Sequence, residues 1–406
     1  MTMALLPPTA SPLAGRLIAT RAIRGFADGW VAVLLPSYLL QLGFGAVEVG
    51  VLATATMLGS AALTLAVGLG AHTRDRRQLL LAATALMALT GLGFAAATSF
   101  WPLLLIGFVG TLNPSSGDVS VFLPLEQATL AGQAAERDRT ALFARYTVAA
   151  QVAGAVGALA AAAPQFAAEH WGMPLVEAQR AMFLLYAALA GASALLYRGL
   201  PPMPVAPGAP KAPLGPSKHT VHRLAALFSL DSFGGGFVVQ SLLALWLFQR
   251  FGMELSAAAA LFFWSNLLMG ISQLLAVPLA KRIGLVNTMV FTHLPANACL
   301  VAAAFAPTVE VAVALLLVRA ALSQMDVPTR TSYVMAVVSP PERPAAASLT
   351  AVPRSLAAAA SPAIAGALLA ASPFGWPLVL AGGAKIAYDL ALLAGFRHHK
   401  PPEEKE

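Results

Sequence analysis

Residues 309–337 read VEVAVALLLVRAALSQMDVPTRTSYVMAV, an apolar run with Arg319, Asp326 and Arg330 inside it. It is long enough to cross a bilayer, for which roughly 20 apolar residues suffice. A charge held in hydrocarbon is costly and points to function. The arrangement occurs twice. Asp326-Val327, Glu342-Arg343, Arg354 and Gly366 succeed one another as do Asp118-Val119, Glu136-Arg137, Arg145 and Gly157. Asp to Arg is 28 residues in the later copy and 27 in the earlier, and Arg to Gly is 12 in both. A costly pattern repeated half a chain apart predicts a duplicated membrane transporter.

The composition agrees. Of 406 residues, 58% are hydrophobic and 11% charged. Soluble domains carry roughly 25% charged residues, so a bilayer rather than a soluble core is the expected solvent for this chain. The net charge of +7 would suggest nucleic acid in a soluble protein. Here Lys and Arg lie between apolar segments and form no basic run with aromatics, so no nucleic-acid partner is expected. With residues near span ends counted with the adjoining loop, eighteen fall on the side of the N-terminus, the centre and the C-terminus, two (Arg180 and Arg250) on the other, and five (Arg145, Arg319, Arg330, Arg354 and Lys385) inside spans. That bias predicts both termini in the cytoplasm. The single cysteine, Cys299, excludes a disulfide framework and a Cys-based metal site. Arg16, Arg21 and Arg24 precede the first long apolar run with no cleavage signature after it, so the first span is expected to be retained.

Twelve apolar runs are long enough to span: 17–41, 46–69, 78–97, 101–124, 141–163 and 179–198, then 222–248, 256–279, 286–305, 309–337, 345–371 and 376–396. The stretch 199–222 holds seven prolines with Lys211, Lys218 and His219; it reads as a solvated linker. The expectation is an all-α integral membrane fold. Its twelve transmembrane helices would form two pseudo-symmetric six-helix bundles, 1–198 and 223–406, the second with a short cytoplasmic tail. The halves also match at their entry. Tyr38-Leu39-Leu40-Gln41 ends span one and Trp246-Leu247-Phe248-Gln249 ends span seven; Asp28 and Asp231 lie early in the same two spans. Short basic loops follow spans two and eight, His72-Thr73-Arg74-Asp75-Arg76-Arg77 and Lys281-Arg282-Ile283-Gly284.

Six plus six spans, a charged central linker and these loops resemble the major facilitator superfamily, over the whole chain. The family's loop motif after span two is Gly-x-x-x-Asp-Arg-x-Gly-Arg-Arg. Gly68, Arg76 and Arg77 match it, while His72, Thr73 and Asp75 depart from it. The second copy keeps Arg282 and Gly284, with Lys281 at the acidic position. The resemblance implies that Arg76, Arg77 and Arg282 belong to a cytoplasmic gate. Efflux members often carry an Arg in span four; here only span ten has one in that spacing, Leu315-x-x-x-Arg319. Antiporter-like members have a Gly-rich span five with a Gly-Pro step. Gly154 and Gly157 match in part, and span eleven offers Ser361-Pro362 before Gly366. The resemblance thus implies an efflux-type permease in a cell (plasma or inner) membrane, driven by protons and working as a monomer on a small molecule. Proton-coupled uptake and passive facilitation of a small organic solute are the alternatives, and a multispan membrane enzyme is a remote one. No nucleophile elbow, phosphate loop, His-Glu-x-x-His or ligand cluster is found, so neither an enzyme nor a cofactor or metal is expected.

Within the spans, Arg319, Ser323, Asp326 and Arg330 are spaced to share one helical face. Asp326 beside two cations reads as a fixed anchor or part of an anion site. Asp118, with Arg145 as its expected partner, is freer to exchange a proton. The other reading is a pair of structural clamps, Asp118–Arg145 and Asp326–Arg354. Asp28 reads either as a protonatable cavity carboxylate or as half of an i,i+4 ion pair with Arg24, whose head would snorkel to the headgroups. Asp231 has a similar claim as a proton carrier. It precedes Gly234-Gly235-Gly236, which suggests a hinge or close packing. Asn113-Pro114-Ser115-Ser116-Gly117 breaks span four just before Asp118. Lys385 and Asp389, four apart in the last span, are expected to neutralise each other. His293 is expected to be a buried neutral histidine, and Gln240, Asn266 and Gln273 are the substrate-contact candidates.

Overall fold

A computed structural model describes residues 6–70, 75–115, 120–202, 215, 217–338 and 342–396. Among these there is no strand. The helices are α1 (Pro12–Gln41), α2 (Ala46–Gly70), α3 (Arg76–Ala96), α4 (Phe100–Val109), α5 (Phe122–Leu130), α6 (Glu136–Ala160), α7 (Ala163–Trp171) and α8 (Leu175–Arg198). They continue as α9 (Lys218–Gly236), α10 (Gln240–Phe251), α11 (Leu255–Ile283), α12 (Leu285–Ala304), α13 (Val309–Leu322), α14 (Asp326–Val337), α15 (Arg343–Ala371) and α16 (Trp376–Phe396). Among the described residues, ten stretches are long and apolar enough to cross a membrane. Much of their apolar surface faces outward, as lipid requires: Leu195 is 69% exposed, Leu89 64% and Leu274 60%.

Four of the twelve apolar runs are broken, and the local sequence explains each break. Between α4 and α5, the Asn113 side chain accepts from the Ser115 amide (3.1 Å) and hydroxyl (2.8 Å), an Asx turn in front of which the helix has already ended. Between α9 and α10 the chain leaves the helix directly after Gly236. Run 309–337 is not one helix, as the shared-face spacing assumed, but α13 and α14. Pro328 has no amide to donate to a preceding turn, so the helix restarts two residues before it, where that loss costs nothing. Between α6 and α7 the restart places Pro164 in the first turn in the same way. At the centre of the chain α9 starts at Lys218, so its first turn takes up the end of the expected linker; residues 203–214 and 216 lie outside the described part.

The described chain divides into two compact units, 1–208 with 254–263 and 209–253 with 264–406. Inside the first unit α1 packs on α6 and α8, and α3 on α8. Inside the second, α9 packs on α15 and α16, and α12 on α16. In each unit the first run thus meets the fifth and sixth, and the third meets the sixth. Glycine permits the tightest of these crossings. A side chain on Gly29 would collide with the Gly154 carbonyl, and one on Gly157 with the carbonyl of Phe26. Gly236 is pressed in the same way against Ala358 and Ser361 of α15. The glycines after Asp231 therefore serve close packing as well as the break.

Candidate functional site

Among the described residues of the first unit, Arg24 and Glu126 form a dry ion pair. Arg24 of α1 and Glu126 of α5 meet in a bidentate salt bridge, with side chains 4% and 0% exposed. The Glu126 carboxylate also accepts from Tyr146 of α6 (2.5 Å), Tyr197 of α8 (2.5 Å) and Thr20 of α1 (2.8 Å). The Arg24 guanidinium lies 4.2 Å over the Phe122 ring. Every lone-pair direction of the acid is occupied, which is what a buried carboxylate needs to stay ionised. Arg24 therefore does not snorkel to the headgroups, nor is Asp28 its main partner. The sequence reading missed Glu126 because it ended the span at residue 124. The apolar run Phe122-Leu123-Pro124-Leu125 with Ala128, Thr129 and Leu130 behind it continues around Glu126 and would have kept it inside.

Asp28 sits one turn further along α1, half-buried, hydrogen-bonded by Asn113 and under the influence of Arg21 and Arg24. It is thus placed beside the α4–α5 break. Asp118 and the Asp118–Arg145 pairing lie outside the described residues, as do the side chains of Glu136, Arg137 and Arg343; Arg145 itself is exposed.

The second unit holds a larger polar cluster with Asp231 of α9 at its centre. Lys385 of α16 donates to one carboxylate oxygen (2.7 Å), and Arg330 of α14 to the other (3.1 Å). His293 of α12 stands 3.8 Å from Asp231 with one ring nitrogen and 2.9 Å from Asp389 with the other. Asn297 donates to Asp389 (2.9 Å). Asp326 pairs with Arg330 at 3.5 Å. Two expected pairs are thereby corrected. Asp326 binds Arg330 on its own helix, and Arg354 forms no ion pair among the described residues. Lys385 and Asp389 do not neutralise each other: the first turns to α9 and the second to α12. Four apart on a helix is a possible contact, but a neighbouring helix offers each a partner, Asp231 for Lys385 and His293 with Asn297 for Asp389.

Next to this cluster lies a cavity of about 110 Å³. Arg319, Ser323, Asp326 and Arg330 all line it, so the face predicted for a straight helix survives the break between α13 and α14. Asp231, His293, Gln324 and Lys385 complete its polar wall. One turn away, Phe228, Met289, Val290, Tyr333, Val334 and Tyr388 form an apolar layer on the same four helices. Gln273 donates to Gln324 (3.3 Å) and so stands at the cavity's edge. Gln240 and Asn266 are buried away from the cavity lining.

Of the loop residues, Arg76 reaches the Ala128 carbonyl at the end of α5 (3.3 Å), and Asp75 caps α3 by accepting from the Arg77 amide (2.8 Å). Asp75, out of place in the family motif, thus has a local duty. Arg282 lies in the last turn of α11. His72 and Thr73 are outside the described residues.

The Major Facilitator Superfamily model matches residues 17–320. This chain belongs to that superfamily. As a member it is a multi-pass membrane protein with a transporter fold, the architecture of secondary transport by alternating access. It is 22% identical, over 94% of its length and 93% of the relative's, to the uncharacterized membrane protein YJR124C of Saccharomyces cerevisiae. Among solved structures it is similar to the nucleoside transporter NupG (15% identity, 96% of this chain and 100% of that one, TM-score 0.73). It is also similar to a bacterial homolog of the human lysosomal transporter Spinster in its inward-facing, occupied conformation (16% identity, 94% of each chain, TM-score 0.72). At these identities the structures speak for the fold.

Proposed function

We propose that this superfamily member is a secondary active transporter that moves a small molecule by alternating access in exchange for protons, in the direction of efflux. It would cross the membrane twelve times in two six-helix bundles joined by a cytoplasmic linker, with both termini in the cytoplasm of a plasma or inner membrane, as a monomer. The ten long spans are completed in this reading by α1, which carries three arginines and Asp28, and by the broken run α4–α5.

The observation that carries the reading is Asp231 shared between Lys385 and Arg330. A carboxylate bridging three helices, α9, α14 and α16, is a two-state element. Ionised, it holds them together; protonated, it releases two cations beside a polar cavity. A proton can then bias one conformation over another because it binds the two states with different affinity. Asp28, half-buried beside the α4–α5 break, is the corresponding acid in the first unit, and Asp118, the counterpart of Asp326 in the sequence repeat, is the remaining proton-coupling candidate. Arg76, Arg77 and Arg282 belong to the gate loops. Gln273, at the cavity edge, is the best placed of the substrate-contact candidates.

The test is solute-dependent proton movement in proteoliposomes under an imposed pH gradient. The panel holds organic anions, organic cations and neutral solutes. Wild type should couple. Asp231→Asn and Asp28→Asn should each lose coupling while remaining folded. Full coupled flux in both variants would remove these acids from the mechanism, and wild-type flux indifferent to the gradient would leave facilitation. External labelling of a single cysteine introduced into the linker of a Cys299-free variant would overturn the assigned orientation.

A further inference from the structure

We propose that the cavity beside Asp231 binds the carboxylate end of an organic anion, with Arg319 as the main recognition residue. This rests on the reading of the chain as a solute transporter and names the class of solute. The argument starts from charge. Arg319, Arg330 and Lys385 line the cavity against Asp231 and Asp326, one positive charge in excess before His293 is counted. Widening the circle does not change the balance, because Arg354 and Asp389 add one charge of each sign.

The excess has an address. Arg330 and Lys385 are both within 3.1 Å of Asp231. Arg319 has no carboxylate within 4.0 Å among the described residues, and its Nε is buried without a hydrogen-bond partner. The Ser323 hydroxyl, one turn along, and Arg330 Nε are orphaned in the same way. The three residues that carry these donors line one cavity wall. Burying a donor without a partner is costly, and an unpaired guanidinium more so. A carboxylate in the cavity supplies the partner that the Arg319 guanidinium lacks, since the planar group matches it with two parallel bonds. A cation finds no vacancy here, because both acids already face positive groups.

Size narrows the class. Pockets that enclose whole drug-sized ligands run to roughly 300–1,000 Å³. A cavity of about 110 Å³ takes a charged end group and leaves the body of the solute outside it. The same anionic chemistry is available from inorganic phosphate or a lipid headgroup, which the test separates.

The experiment is ligand binding to the purified full-length protein in neutral detergent, followed by calorimetry and thermal unfolding. The probes are acetate, benzoate, succinate and citrate, with benzamide and benzylamine as neutral and cationic counterparts of benzoate. Inorganic phosphate and a short-chain phosphatidylglycerol form the remaining arms. At least one carboxylate should bind, about tenfold or more tighter than its amide or amine. Arg319→Gln should weaken it by about tenfold or more, as the loss of a charge-assisted bond predicts, Ser323→Ala by less, and Arg319→Lys should keep part of the affinity. The proposal is overturned if no carboxylate binds, if benzamide or benzylamine binds as well as benzoate, or if binding survives Arg319→Gln unchanged. Binding by phosphate or lipid alone also overturns it. Should Arg319→Gln fail to fold, Arg319→Lys and Ser323→Ala decide, since neither removes charge. Because binding is measured without a membrane, loss of proton coupling with carboxylate binding intact would remove the coupled-efflux reading and leave this one standing.

Discussion

The ion pair of the first unit and the cluster of the second bridge the same places in the helix order with opposite polarity. In the first, the cation is on the opening helix (Arg24, α1) and the acid on the second half of the fourth run (Glu126, α5). In the second, the acid is on the opening helix (Asp231, α9) and the cation on the second half of the fourth run (Arg330, α14). Their surroundings differ more. Glu126 takes donors from four side chains and has no exposed surface. Asp231 is shared by two cations at the wall of a cavity that has room for several waters, one of which needs on the order of 10–15 Å³. The difference teaches that a buried charge is not by itself a functional sign. A charge whose partners are all spoken for holds a fold together, while one beside open space and orphaned donors can change partners.

Three substitutions probe that contrast, the largest effect first. Glu126→Gln leaves the Arg24 charge buried and dry, and should cost about 3–5 kcal/mol of stability, read by unfolding of the purified protein. Replacing both partners, Arg24→Gln with Glu126→Gln, should recover most of that loss. A cost below about 1 kcal/mol for the single change would mean that water reaches this pair. Asp231→Asn should cost less, about 1–3 kcal/mol, because water in the neighbouring cavity can solvate Arg330 and Lys385. An equal or larger cost than Glu126→Gln would remove the distinction between dry and wet. Ser361→Ala is the smallest. Its hydroxyl donates to the Phe233 carbonyl (2.6 Å) just before the α9 break, so about 0.5–1.5 kcal/mol should be lost, with faster amide exchange confined to residues 233–240.

The sequence could show what a single helix shows. Twelve apolar runs, the break at Asn113-Pro114, the glycines before α10 and the shared face of Arg319, Ser323, Asp326 and Arg330 were all legible, because each depends on neighbours within a few residues. Ion partners were not. Reading along a helix makes Arg24 the partner of Asp28 and Lys385 that of Asp389. The fold pairs Arg24 with a residue 102 positions away and Lys385 with one 154 away. Such pairs are set by which helices cross and how closely, and that depends on small residues such as Gly29, Gly157 and Gly236. The role of Arg319 depended on the same information, since only the fold shows that the other two cations are already taken.

The most direct test measures stability and proton flux on the same two preparations, the Arg24→Gln/Glu126→Gln double variant and Asp231→Asn. Reconstituted in equal folded amounts, the double variant should couple protons to solute at close to the wild-type rate, and Asp231→Asn should not couple at all. A folded but silent double variant beside a fully coupled Asp231→Asn would contradict the assignment of the two clusters.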